Sequence, residues 1–133
     1  MPILNLKISG EPSPELTQKV ATTLVDLTAK ILHKNPNMTA VAIDYINPNH
    51  WIIGGKTLAE QGKNSFYMDI KVTDSTNTKD EKAQYIAVVF TRMNDLLREL
   101  HSESYIYIQE VRDDAYGFGG LTQGYRYITS ILK

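Results

Sequence analysis

The chain has 133 residues, of which 42% are hydrophobic and 22% charged, a composition typical of one compact domain and not of a disordered or fibrous protein. Its 14 basic and 15 acidic side chains give a formal net charge of −1, so the chain lacks the basic field that would hold a nucleic acid. It has no cysteine, which excludes disulfides, a thiolate nucleophile and cysteine-ligated zinc.

The first residues, Met1-Pro2-Ile3, carry neither the basic leader nor the apolar run of a signal peptide. The longest apolar run, at 85–90, is about six residues, far short of a membrane span. We therefore expect a soluble, cytoplasmic protein with no membrane partner.

The first half of the sequence predicts a strand, a helix and a second strand. Apolar and polar residues alternate over 3–8, and the Ser-Pro pair at 13–14 supplies a helix cap and a suitable first helical residue. The helix should run about five turns to the Asn-Pro pair at 35–36, and 39–46 predicts the second strand. The apolar stripe of this helix consists of Leu16, Val20, Leu24, Leu27 and Ile31.

The second half repeats this order. Residues 66–72 alternate as a strand, Thr78 and Glu81 have the spacing of a capping box, and 105–110 alternates again. The second helical stripe is predicted to consist of Ile86, Phe90, Met93, Leu97 and Leu100.

The landmarks of the first half recur 65 residues later. They comprise a helix cap, a strand and an aromatic residue followed by a glycine pair. One constant offset predicts a single domain built from two tandem β-α-β units, about 1–63 (the first unit) and 64–133 (the second unit). The matched positions are Ser13 and Thr78, Val41 and Ile106, Ile43 and Ile108, and the segments 51–55 and 116–120.

This duplication predicts an α/β fold (two α+β layers) with one four-stranded mixed sheet and both helices on one face. A right-handed crossover in each unit returns its second strand parallel to the first. The other face would be too aromatic to leave in water, which favours self-association with closed cyclic symmetry. That face would carry Ile3, Asn5, Tyr67, Asp69, Tyr105 and Tyr107.

The doubled unit resembles the tautomerase superfamily. Its 4-oxalocrotonate tautomerase-like members are single β-α-β units that begin Met-Pro-Ile and end in an aromatic residue and a Gly-Gly pair, and its macrophage migration inhibitory factor-like (MIF-like) members carry two units. The resemblance covers almost the whole chain in architecture, but only short stretches match closely. Those stretches are Met1-Pro2-Ile3, the segment 49–55 and its counterpart 116–120.

The resemblance implies that Met1 is removed and that Pro2, then a free secondary amine, is the general base and acid of a tautomerase, an isomerase acting on a small enol or 2-oxo carboxylic acid. An α-amino group titrates at about 7.7–8.0 in peptides, and burial lowers that value, which suits proton abstraction near neutral pH. The counterpart of Pro2 is Tyr67, inside the chain, so the implied homotrimer would have three sites.

Similarity to the longer members also nominates residues that bind the substrate. Lys34 matches their pocket lysine and would meet a carboxylate, although a lysine in the last turn of a helix is favourable in any protein. Tyr105 matches a pocket tyrosine supplied by a neighbouring subunit, and Tyr107 faces the same side of its strand. Lys71 lies close to the position where related dehalogenases and decarboxylases carry arginines, while Arg112 and Arg126 have weaker support.

The family places the aromatic residue before the glycines over the proline, which nominates Tyr116 and Phe118 as the wall above Pro2. Trp51 would pack at the matching position, where no amine exists. The chain departs from the small tautomerases at two positions, because Glu11 and Ala40 stand where they carry arginines. This puts 4-oxalocrotonate in doubt as the substrate.

Other kinds of site find little support in the sequence. The histidines show no ligand spacing, so neither a metal nor a cofactor is expected. The segment 117–119 starts like a dinucleotide motif, but Thr122 replaces the third glycine and no long helix is expected to follow. Two alternatives stay open: a hydratase, dehalogenase or decarboxylase of the same superfamily, although 72–74 lacks the extra arginines, or a non-catalytic trimeric binding module.

Overall fold

The computed structural model describes residues 2 to 132 and contains eight strands and four helices within them. The first unit contains β1 (Ile3–Ser9), α1 (Pro14–Leu32), β2 (Ala40–Ile46), a hairpin of β3 (Ile52–Ile53) and β4 (Lys56–Thr57), and α2 (Leu58–Gln61). The second unit contains β5 (Phe66–Thr73), α3 (Lys79–Leu97), β6 (Tyr105–Val111), a hairpin of β7 (Gly117–Phe118) and β8 (Leu121–Thr122), and α4 (Gln123–Ile131).

The main sheet has four strands in the order β2-β1-β5-β6, which confirms the predicted mixed sheet. β1 is parallel to β2 and β5 is parallel to β6, while the central pair β1 and β5 is antiparallel. Ile3 lies opposite both Ala40 and Lys71. The start of β1 therefore lies at the same end of the sheet as the ends of β5 and β6, and we call this the Pro2 end.

Both long helices cover one face of the sheet, as the alternation predicts. Leu4, Leu6 and Ile8 point into the core, while Asn5 and Lys7 between them are exposed on the open face. The hydroxyl groups of Thr28 on α1 and Tyr85 on α3 are 2.7 Å apart in the core, so a buried polar contact links the helices. No helix within residues 2–132 is long and apolar enough to cross a bilayer.

Helix α1 begins as predicted and ends earlier than predicted. The Ser13 side chain accepts a hydrogen bond from the backbone of Leu16 at 3.1 Å, and Pro14 is the first helical residue. His33 has a left-handed backbone (φ 60°) and donates its N–H to Thr28, which closes the helix before the Asn-Pro pair. The left-handed backbone of His33 therefore ends α1 at a point that the apolar stripe of the helix does not indicate.

The predicted stripe of α3 is confirmed at Met93, which is buried, and at Leu97, which packs against the core, but it is wrong at Ile86. Tyr85, Val89 and Met93 are buried, whereas Ile86 is 40% exposed and Leu100 lies beyond the end of the helix. Tyr85 can be buried because its hydroxyl has a hydrogen-bond partner in the core, the hydroxyl of Thr28. Hydrophobicity alone does not reveal such a partner.

A short helix, α4, follows the second hairpin and was not among the elements predicted from the sequence. It has nine residues, and the Thr122 side chain accepts a hydrogen bond from the backbone of Tyr125 at 3.1 Å. The sequence does carry a signal for this helix, because its apolar residues lie on one side more clearly than those of α1 or α3, and the Thr122 cap sets its start.

Replacing Thr78 by alanine should lower the free energy of unfolding by about 1 kcal/mol. Thr78 accepts a hydrogen bond from the backbone of Glu81 at 3.1 Å, and the Glu81 carboxylate accepts one from the backbone of Thr78 at 2.8 Å. Urea unfolding of Thr78→Ala measures the loss, with Thr91→Ala, inside the exposed face of α3, as the control. Equal stability of Thr78→Ala and the wild type would contradict the capping role.

Candidate active site

Pro2 is buried at the start of β1. Its carbonyl oxygen accepts a hydrogen bond from the backbone of Ala40 at 3.1 Å. Extending the β1–β5 register by one residue places Pro2 beside Val72. Met1 lies outside the described residues, so its predicted removal is a matter for measurement.

Tyr116 lies next to this N-terminal strand within the same chain. Its hydroxyl donates a long hydrogen bond, 3.4 Å, to the backbone oxygen of Lys71, the residue opposite Ile3. Burial raises the pKa of Tyr116, and the backbone of Ile3 offsets part of the rise. Tyr116 is therefore a protonated hydrogen-bond donor beside Lys71, the residue that pairs with Ile3, the neighbour of Pro2 in the chain.

The second hairpin needs its glycines to reach this position. A Cβ on Gly117 would lie 2.1 Å from the backbone oxygen of Leu121, so no larger residue fits between Tyr116 and Phe118. Gly119 and Gly120 both have positive φ, 61° and 83°, and form the two-residue turn.

Phe118 lies in the same hairpin and is held by an arginine from α4. The guanidinium carbon of Arg126 is 3.8 Å from the centre of the Phe118 ring, and its Nη2 donates a hydrogen bond of 2.9 Å to the Phe118 carbonyl. Arg126 had only weak support from the sequence, because its contact with the hairpin depends on a helix that was not predicted.

Lys34 reaches the Pro2 end from the residues after α1. Its Nζ donates a hydrogen bond of 2.8 Å to the hydroxyl of Thr76, just beyond the end of β5. Burial lowers the pKa of Lys34, and the charge of Glu81 offsets part of this. A partly desolvated cation that binds only a hydroxyl is suited to an anion.

Lys71 is less available than Lys34. Its Nζ lies 2.9 Å from the Asp69 carboxylate, and both side chains project from the open face of β5. This ion pair neutralises the charge that would attract a substrate.

Tyr105 and Tyr107 lie on the open face of β6, each about half exposed. Tyr105 pairs with Tyr67, and Tyr67 pairs with Lys7 on β1. Because Lys7 is five residues along the strand from Pro2, Tyr105 lies roughly 16 Å from the Pro2 end. The Tyr105 hydroxyl donates to the carboxylate of Glu103, which raises the pKa of the tyrosine. A single chain therefore does not bring Tyr105 to Pro2.

A cavity of about 470 Å³ opens at the Pro2 end between the end of β5 and α4. Thr73, Thr76 and Arg126 line it, so it adjoins both the Lys34 contact and the Phe118 hairpin. Residues 2–132 contain no cluster of three or more histidine, aspartate or glutamate side chains that could hold a metal ion.

Comparison with known proteins gives a sequence relative and structural neighbours. No protein-family model matches the chain. A Helicobacter pylori protein named "Probable tautomerase" is 33% identical over 61 residues, which is 44% of this chain and 90% of that protein. This length is close to that of one β-α-β unit.

The structural neighbours include a wild-type fused 4-OT that forms a symmetric trimer, with a TM-score of 0.79, 14% identity and coverage of 92% of this chain and 96% of that one. A macrophage migration inhibitory factor-like protein from Entamoeba histolytica has a TM-score of 0.74 at 16% identity, covering 91% of this chain and 97% of its own. Taken with the sequence relative and the doubled β-α-β topology, these matches make the chain a member of the tautomerase superfamily, in its fused, two-unit form.

Proposed function

We propose that the protein is an isomerase that moves a proton within a small enol or 2-oxo carboxylic acid, with Pro2 as general base and then general acid. The observation that supports the proposal is the burial of Pro2 at the end of the sheet where a partly desolvated Lys34 and a protonated Tyr116 also lie. An acid–base group, a cation and a neutral donor at one end of the sheet are the groups such a reaction requires.

The proposed reaction transfers one proton in two steps. The neutral nitrogen of Pro2 takes the proton from the enol hydroxyl, and the resulting ammonium returns a proton to the carbon beside the new carbonyl. Lys34 holds the substrate carboxylate, and a tyrosine hydroxyl donates to the oxygen on which charge develops. The wall of Tyr116 and Phe118 keeps water away from the amine.

The proposed assembly is a homotrimer in a soluble protein, as the fused 4-OT neighbour is a symmetric trimer. The open face supports this, because Tyr67, Tyr105 and Tyr107 leave large apolar rings in water there. Tyr105 would then reach the Pro2 of a neighbouring subunit, which a single chain does not allow.

The hydratase or dehalogenase alternative finds less support. Such members usually carry extra arginines near the end of β5, whereas 72–74 has none and Lys71 is paired with Asp69.

The direct test is enol-to-keto conversion of phenylenolpyruvate and of 2-hydroxymuconate, followed by absorbance. We expect the protein to accelerate at least one conversion over buffer, and intact-mass spectrometry to show a chain lacking Met1. A protein that retains Met1, or that accelerates neither substrate, would contradict the proposal, because the nitrogen of Pro2 would be an amide or inactive.

The binding of acid substrates should weaken at high pH. Because the pKa of Lys34 lies below the ordinary value of 10.5, its positive charge is present below that lowered pKa and is lost as the pH rises through it. KM should therefore increase at a pH where an ordinary lysine is still charged. Lys34→Arg should keep KM flat over that range, since arginine stays protonated. The same increase in KM in both proteins would assign the titration to another group.

A further inference from the structure

The two units share one hydrogen-bonding scheme where each hairpin meets the following short helix. The backbone N–H of Leu58 donates to Trp51 at 2.8 Å, and that of Gln123, 65 residues later, donates to Tyr116 at 2.8 Å. Thr57 and Thr122 cap the two helices in the same way. The junctions can therefore be compared residue by residue.

One difference is the side chain that binds the hairpin. In the first unit, Gln61 donates to the carbonyl of Ile53 at 2.9 Å. In the second unit, Arg126 donates to the equivalent carbonyl, that of Phe118, at the same distance. The arginine keeps the structural hydrogen bond that a neutral glutamine can make, and it adds a positive charge that the junction does not need.

A second difference lies at the first residue of each helix. Leu58, in the first unit, is apolar and fully buried. Its counterpart Gln123 is nearly as buried, at 9% exposed, but it is polar, and its Nε2 has no acceptor among residues 2–132. The Nε of Arg126 is likewise buried without a partner in the described chain. A buried donor without an acceptor opposes folding, so a leucine in place of Gln123 would favour it.

Both residues line the 470 Å³ cavity at the Pro2 end. Thr76, on the same cavity, binds the Nζ of Lys34 at 2.8 Å, which places that cation at the rim. Asp74 and Asp113 also line the cavity, and neither lies within 4.0 Å of the Arg126 nitrogens. These two carboxylates repel a phosphate dianion more strongly than a singly charged anion, so they disfavour phosphate as the ligand.

We propose that Gln123 and Arg126 form a carboxylate-binding subsite. The planar guanidinium, fixed by the Phe118 ring and carbonyl, and the amide of Gln123 supply donors for the two oxygens of one carboxylate. The inference rests on the proposed function in one respect: it makes Arg126 and Lys34 the residues that select acids over neutral analogues at the Pro2 end of the sheet.

The test compares the binding of trans-cinnamate with that of the neutral cinnamamide by isothermal titration calorimetry. Arg126→Gln restores the residue of the first unit and can keep the bond to Phe118, so it should fold. It should weaken cinnamate binding about ten- to hundredfold, as expected for a lost hydrogen bond to a charged group, and change cinnamamide binding less than about twofold. Gln61→Arg, at the matching position, is the control and should leave both affinities unchanged.

Gln123→Leu supplies a second measurement. It should raise the melting temperature, because the buried amide is removed, and should weaken cinnamate binding. Unchanged cinnamate affinity in Arg126→Gln, or no cinnamate binding by the wild type at millimolar concentration, would overturn the subsite.

These outcomes are separate from those that test the proton transfer. Cinnamate binding that depends on Arg126 in a protein without tautomerase activity would keep the subsite and reject the proposed function. Tautomerase activity with equal cinnamate affinity in the wild type and Arg126→Gln would keep the proposed function and reject the subsite.

Discussion

Pro2→Ala should lower kcat/KM for enol-to-keto conversion by about 100-fold or more, the usual contribution of a positioned general base. Alanine keeps an amine at the chain start but loses the ring that fixes φ and the direction of the lone pair. It also removes apolar atoms that shield the nitrogen from water, so its proton affinity moves away from the value that suits neutral pH. Steady-state kinetics on phenylenolpyruvate measure the change.

Pro12→Ala is the matched control, because Pro12 is an exposed loop proline before α1. It should leave kcat/KM unchanged. Melting temperatures of both variants show whether any loss of activity comes from unfolding. Equal rates for Pro2→Ala and the wild type, with both folded, would reject Pro2 as the general base and would leave the binding module or a different substrate as the better hypothesis.

Tyr85→Ala should cost about 3–5 kcal/mol of unfolding free energy, the range measured when a buried large aromatic side chain is cut to alanine. Tyr85 is fully buried between α3 and the rest of the core, and its hydroxyl is 2.7 Å from that of Thr28. The substitution therefore opens a cavity and breaks the polar contact between the two helices. Urea unfolding followed by circular dichroism measures the loss.

Ile86→Ala is the control in the next position of the same helix. Ile86 is 40% exposed, so its truncation should cost less than about 1 kcal/mol. The sequence pattern places Ile86 in the core stripe and the structure places Tyr85 there. A larger loss for Ile86→Ala than for Tyr85→Ala would restore the stripe predicted from the sequence.

The sheet could be predicted from the sequence because strand alternation is a local property. Burial of Leu4, Leu6 and Ile8 on one face follows directly from their spacing, and the offset of 65 residues extends the same argument to the second unit. The helical register could not be fixed as well, because α3 carries apolar residues around much of its circumference. Which of Tyr85 and Ile86 is buried depends on Thr28, a residue 57 positions away from Tyr85.

The candidate site was predictable only in part. Pro2, Lys34 and Tyr116 were nominated by family resemblance, and the fold puts these three at one end of the sheet. Composition and periodicity alone would not have found Pro2. Gln123 was missed and Arg126 was given little weight, although continuing the offset past the glycines would have set them against Leu58 and Gln61 and shown the change in polarity.

The antiparallel ladder between β1 and β5 joins the two units at the centre of the sheet, and the Thr28–Tyr85 contact joins them again between the helices. Neither half can bury its hydrophobic residues without the other, so we expect melting to be a single cooperative event. A damaging substitution in either half should then lower the free energy of unfolding of the whole chain. Strand β1, which begins just after Pro2, has no stability independent of this common core. How many substitutions are tolerated near Pro2 therefore depends on the stability of the core as a whole.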